Sequence, residues 1–143
     1  MACPLPPPFH VLADLHGEPL IEFSHYPADD LLYLRWHGHL TTEEVIRGAQ
    51  LGRQQQQRTG LPYSRVLNDN RDASGDWHEA LPWLQYEWLP QATAAGVRAL
   101  GYVFSPDLAH QFVSQEFVSN VRPHLSIELF HDVDEAWQWL LTQ

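Results

Sequence analysis

The sequence predicts an α/β fold, a single domain built on a mixed sheet of about five strands flanked by about four helices. Three observations carry this. Helix-like and strand-like segments alternate from residue 41 onward, a pattern of parallel strands joined by right-handed crossovers. Ahead of them, two alternating segments meet at a tight turn, which adds an antiparallel hairpin. At 143 residues and 44% hydrophobic, the chain has one domain's length and enough apolar content for a core.

Residues 1–19 are rich in proline, glycine and polar groups and read as a mobile segment ahead of a domain over 20–143. Within that segment Phe9, Val11 and Ala13 alternate, as a short edge strand does. The hairpin comes next. Ile21-Glu22-Phe23-Ser24-His25 and Leu32-Tyr33-Leu34-Arg35-Trp36 both alternate, and Pro27-Ala28-Asp29-Asp30 turns between them. Closing the turn opposes Tyr26 to Leu31, Phe23 to Leu34 and Ile21 to Trp36. The same register opposes Glu22 to Arg35, an expected cross-strand charge pair.

Thr41-Thr42-Glu43-Glu44 is a capping box that opens the first helix. Its inner face is Val45, Ala49 and Gly52, with Gly48 allowing close approach, 54–57 its solvated end and Gly60 its stop. A strand over 64–67 follows. Asp76-Trp77-His78-Glu79 reads as a second capping box, and Pro82 and Pro90 predict a kinked helix over 76–95. Its core stripe is Trp77, Ala80, Leu81, Leu84, Trp88, Ala92 and Ala95, which leaves Trp83, Tyr86 and Leu89 outward. Residues 99–104 form a buried strand. Ser105-Pro106 opens a helix whose stripe is Leu108, Phe112, Phe117 and Val121. A last strand over 125–130 precedes a helix capped from Asp132, with Val133, Ala136, Trp137 and Leu140 inward.

Composition excludes several functions. The net charge is −10 and all eight basic residues are arginine, so there is no basic face for nucleic acid or an anionic membrane. Without lysine there is no Schiff-base chemistry and no P-loop. Cys3 is the single cysteine and reads as a tail residue, so no intrachain disulfide forms. Neither a signal peptide nor a membrane span is visible, and the expected location is cytoplasmic. The nine histidines, His25, His37, His39 and His131 among them, lack ligand-grade spacing, so no metal or cofactor is expected. No catalytic triad emerges, because Ser74 lacks a nucleophile elbow.

The polar junction after the strand over 64–67 is the candidate site. Asn68, Asp69, Asn70, Arg71, Asp72 and Ser74 cluster at a strand's carboxyl end, where open α/β sheets bind their ligands. Arg71 is either braced by Asp69, Asp72 and Asp76 or is an anion receptor. Asp69 and Asp72 serve as turn and cap residues or as a carboxylate pair.

Asp72-Ala73-Ser74-Gly75 sits between a parallel strand and a helix, and the chain ends Phe130-His131-Asp132…Ala136-Trp137-Gln138-Trp139-Leu140. With the element order, these motifs resemble STAS-like domains, the anti-sigma-factor antagonist group, and its SpoIIAA-like branch of small stand-alone bacterial proteins. The resemblance covers roughly residues 20 to 142. It implies a non-catalytic regulatory or ligand-binding module acting through the loop over 68–75 on a protein partner or small ligand. It also marks Ser74 as a phosphosite, although Ala73 replaces the motif's first serine and the acidic Asp76 opposes an added phosphate. Helix capping is the alternative role of Ser74. The alternative function is a small-molecule or lipid-type carrier, or an enzyme, with a pocket between the kinked helix and the sheet. Outward Trp83, Tyr86 and Leu89 further predict a homodimer interface.

Overall fold

The computed structural model describes residues 10–143, with six strands in one sheet. They are β1 (His10–Ala13), β2 (Pro19–Tyr26), β3 (Leu31–His39), β4 (Arg65–Ser74), β5 (Ala99–Val103) and β6 (Ser126–Phe130), and each lies beside its neighbour in sequence. β1, β2 and β3 are antiparallel; β3 to β6 are parallel. The sixth strand is β1. It pairs with β2, so 10–19 belongs to the domain instead of preceding it. Cys3, Phe9 and the prolines before it lie outside the described residues.

The hairpin register is the expected one, with Ile21 opposite Trp36, Glu22 opposite Arg35 and Phe23 opposite Leu34. The charges pair differently. Arg35 grips Asp72 (Nε 2.6 Å, Nη2 2.5 Å), and Glu22 lies 3.1 Å from His37 Nε2. The cause is the length of β4. It runs on through Ser74 and brings Asp72 alongside His37 of β3, so 68–74 is strand and not loop.

Sequential parallel strands joined by right-handed crossovers put all the crossover helices on one face. Helix α1 (Thr42–Thr59), a broken helix over 78–94 and α4 (Leu108–Val121) share one buried cluster there, with Phe23, Val66 and Leu100 from the sheet. Helix α5 (Val133–Leu141) follows β6 and covers the other face, packing Ala136 and Leu140 on Leu31, Tyr33, Leu67 and Val103. Thr41 caps α1, accepting from the Glu44 N–H, and Asp132 caps α5. Gly48 lies against the hairpin: a Cβ there would come within 2.6 Å of Ile21 and Trp36.

The broken helix is a 3-10 turn (His78–Ala80), α2 (Leu81–Trp83), a π turn (Leu84–Trp88) and α3 (Leu89–Ala94). Pro90 has no N–H for the carbonyl four residues back, and the wider π turn precedes it. That turn shifts the helical phase. Leu84 and Leu89, five apart, are both buried, while Ala95 is exposed. The outward trio is thus dismantled: Leu89 is core, Trp83 packs against the core, and only Tyr86 stands in solvent. Asp76 receives the His78 N–H as a local turn, without a reciprocal bond from Glu79.

Two further assignments differ. Asp107, not Ser105, caps α4. The buried face of α4 is His110, Val113, Ser114, Phe117, Val118 and Val121, whereas Leu108 and Phe112 are exposed. Two polar residues sit on the inner stripe and two apolar ones on the outer, which inverts the hydrophobic signal. Asp107 also receives the Gly75 N–H at 2.8 Å, and the Ser105 hydroxyl donates to the Ala73 carbonyl. Both bonds hold the end of β4, which outruns β5. Gly75 itself has φ +101°, and a Cβ there would lie 2.5 Å from the Leu40 carbonyl oxygen. Gly75→Ala is expected to lower stability by at least about 2 kcal/mol in urea denaturation, since positive φ and a backbone clash combine.

Candidate functional site

Alternation along β4 divides the six sequence-predicted site residues between the two faces of the sheet. Asn68 and Asn70 face the three-helix side. Asp69 and Arg71 lie on the α5 side, and an extra residue in β4, between the Arg35–Asp69 and His37–Asp72 pairings, places Asp72 and Ser74 there too. The six do not form one surface.

On the α5 side Asp69 is fully buried and satisfied. Its carboxylate accepts from the Tyr33 hydroxyl at 2.5 Å and from Arg71 Nε (3.0 Å) and Nη2 (2.9 Å). Burial pushes this carboxyl up, but the hydrogen bonds from Arg71 and Tyr33 outweigh it and hold the pKa below the ordinary value. The bond to Asp69 raises Arg71, and burial followed by that same carboxylate raises Tyr33. Arg71 is therefore a brace for a buried charge. Ser74, half-buried at the end of β4, meets the His39 ring at 3.2 Å and caps no helix.

The other face holds a cavity of about 100 Å³ between α1, the broken helix and strands β2 to β5. Its walls are mainly apolar: Ile21, Phe23, Leu34 and Trp36 from the hairpin, Val45 and Ala49 from α1, Leu84, Trp88 and Ala92 from the broken helix, and Phe117 from α4. The space exists because Ala49, Gly52 and Ala92 contribute almost no side-chain volume. Asn68, Asn70 and Tyr102 supply polar groups from the sheet, and Arg53, Gln56 and Tyr63 supply them from α1 and the approach to β4. Asn70 is buried, and its side-chain bonds, both to Asn68, are long at 3.4 Å. The indole N–H groups of Trp36 and Trp77 are buried without partners. Arg53, Gln56 and Tyr63 are half-buried, whereas Trp36, Trp77, Leu84 and Tyr102 are buried. The α1 end of the cavity is thus its mouth.

Behind the cavity floor, the Tyr102 and Ser114 hydroxyls share a hydrogen bond of 2.7 Å, and Ser114 also contacts His110 Nδ1 at 3.2 Å. His110 is fully buried, and burial pushes its pKa down to about 4.

The cavity lies between the kinked helix and the sheet, the place named for a pocket in the alternative sequence reading, with α1 as a further wall. That reading missed Arg53, Gln56, Tyr63 and Tyr102 as lining residues. The signal for Gln56 was present: Val45, Ala49, Gly52 and Gln56 follow helical spacing on the inner face of α1, which carries that glutamine inward from the run over 54–57. Among the described residues no group of three or more His, Cys, Asp or Glu is placed to hold a metal ion, and no helix is long and apolar enough to cross a membrane.

Two outcomes test these assignments. Arg71→Ala leaves the buried Asp69 with the Tyr33 hydroxyl and the residue-71 backbone N–H but no countercharge, and should cost on the order of 2 kcal/mol in chemical denaturation. His110 in the unfolded chain takes up its proton near pH 6.5, but in the fold only near 4, so acidification through this window favours unfolding. The loss from this group between pH 7 and pH 4 is roughly 3 kcal/mol, and His110→Leu should remove that slope from a stability-versus-pH series.

Comparison of the chain with protein-family models, with curated proteins and with solved structures gave no match.

Proposed function

We propose that this protein is a binding module for a small, largely apolar molecule held between α1, the broken helix and the sheet. The carrying observation is the cavity itself, apolar on nearly every wall, with a few polar groups set among them. Small-molecule sites have this composition. Its size sets the class of guest. A closed apolar cavity of 150 Å³ accommodates benzene, so about 100 Å³ limits the guest to one ring or a short chain at most, and a long lipid tail needs the walls to part. The element order supports reading the chain as STAS-like. Within that reading, the cavity supports ligand binding over a phosphoswitch, since Ser74 sits in a paired strand. A cytoplasmic location is proposed on the sequence reading alone. The proposed self-association surface reduces to Tyr86 and the half-buried Trp83, without Leu89.

The test is a titration of the full chain with neutral aromatic probes, toluene and indole, followed by tryptophan fluorescence and ligand-observed NMR. Trp36, Trp77 and Trp88 line the cavity and report directly on its occupancy. Saturable binding is expected, weakened by about tenfold or more in Ala49→Leu, which fills the space, with stability unchanged or raised. Absence of saturable binding to either probe, or full binding by the filled variant, overturns the cavity as the site.

A further inference from the structure

We propose that the ligand of this cavity carries a carboxylate and that Arg53 receives it at the mouth, with Gln56 and Tyr63 completing the donor set. The inference rests on the cavity reading above. Arg53 stands on α1 between the inward Gly52 and Gln56 and lines the cavity. Among the described residues, Arg35, Arg71 and Arg122 each pair with a carboxylate. Arg53, like Arg47, Arg58, Arg65 and Arg98, has none within ion-pair distance, but of these five it alone lines the cavity. Its one bond is to a neutral group, Nη1 donating to Gln56 Oε1 at 2.7 Å, and its Nε is buried without a partner. A partly desolvated guanidinium beside an apolar wall gains most from an anion.

The neighbours have the matching polarity. The Gln56 carbonyl oxygen is occupied by Arg53, so what that side chain still offers is its N–H groups. Burial pushes the Tyr63 phenol up to about 12, with the Arg53 charge pulling the other way, so it stays protonated at neutral pH and donates. Three donor groups thus converge on one end of an apolar space. A carboxylate fits the guanidinium fork through two parallel hydrogen bonds, and its single negative charge leaves the attached body free to enter the apolar walls. With about 100 Å³ behind it, that body is one aromatic ring or a short aliphatic chain.

The experiment compares benzoate, phenylacetate and hexanoate with benzamide, phenylacetamide and hexanamide, and with phenyl phosphate, by calorimetry and tryptophan fluorescence on the full chain. The wild type is expected to bind each acid about tenfold or more tighter than its amide, the worth of a charge-assisted contact. Arg53→Gln should bring the acid-to-amide ratio to about one, and Arg53→Lys should keep part of the preference. Circular dichroism and melting check that both variants fold; should Arg53→Gln fail, Arg53→Lys and the wild-type ratio decide. Equal binding of acids and amides, an acid preference that survives Arg53→Gln, or tighter binding of phenyl phosphate than of benzoate overturns the carboxylate assignment and leaves the cavity reading in place. Binding of neither acids nor amides overturns both.

Discussion

Strand β4 has to serve two different faces at once. As far as Asp69 it lies between β3 and β5, beyond that it pairs with β3 alone, and its side chains alternate between three helices and a single helix. Arg71 and Asp72 reach solvent, but Asp69 and Asn70 are buried. Each must find a partner inside the protein or leave space for one. Residues 68–72 are all polar, so this constraint shapes much of what surrounds them.

The two faces meet it differently. On the α5 side the buried Asp69 is fully answered by Tyr33 and Arg71, and the bulge that follows turns Asp72 toward Arg35. Every charge there has its partner, so the network braces the sheet and leaves little for a ligand to complete. On the helical side Asn68 and Asn70 have only long bonds to one another's segment, and the surroundings are indole and aliphatic. The unsatisfied face is also the one with the space. The hollow proposed above as the binding site thus lies under the helices, away from the charged strand end.

The fold was legible because its signals were local. The hairpin register follows from alternation and turn length, and it holds pair by pair from Ile21–Trp36 to Tyr26–Leu31. The caps at Thr41 and Asp132 are one-residue chemistry. What stayed hidden depends on phase or on distant partners. Leu89 faces inward only because the π turn before Pro90 shifts the helix. The inner stripe of α4 carries His110 and Ser114, whose polarity is answered partly by Tyr102 on β5, twelve residues from Ser114. A polar run such as 68–74 reads as a loop when nothing in the sequence announces the β3 extension that pairs with it. Little of the cavity was legible: two of the six expected site residues, Asn68 and Asn70, line it, and Arg53 was overlooked on a helix face judged by its small residues.

Those small residues carry the last step. A closed void of about 100 Å³ costs roughly 2 kcal/mol at the rate measured for core cavities, an upper bound for a hollow that opens at the α1 end. Packing does not force this void on the chain everywhere. Gly48 cannot grow, because the hairpin presses on it, but a Cβ at Gly52 would meet Phe23 at an ordinary 3.5 Å. An alanine there would narrow the space and favour the helix, since glycine costs about 1 kcal/mol in a helix interior. Gly52 thus forgoes stability twice, through propensity and through empty volume. A guest bound only by the folded state restores what the void costs, because its binding free energy adds to that of folding. The combination of an avoidable hollow, polar groups without good partners on its floor and an arginine without a carboxylate at its mouth is coherent if the space is kept for a ligand. As packing alone, each of the three is a loss.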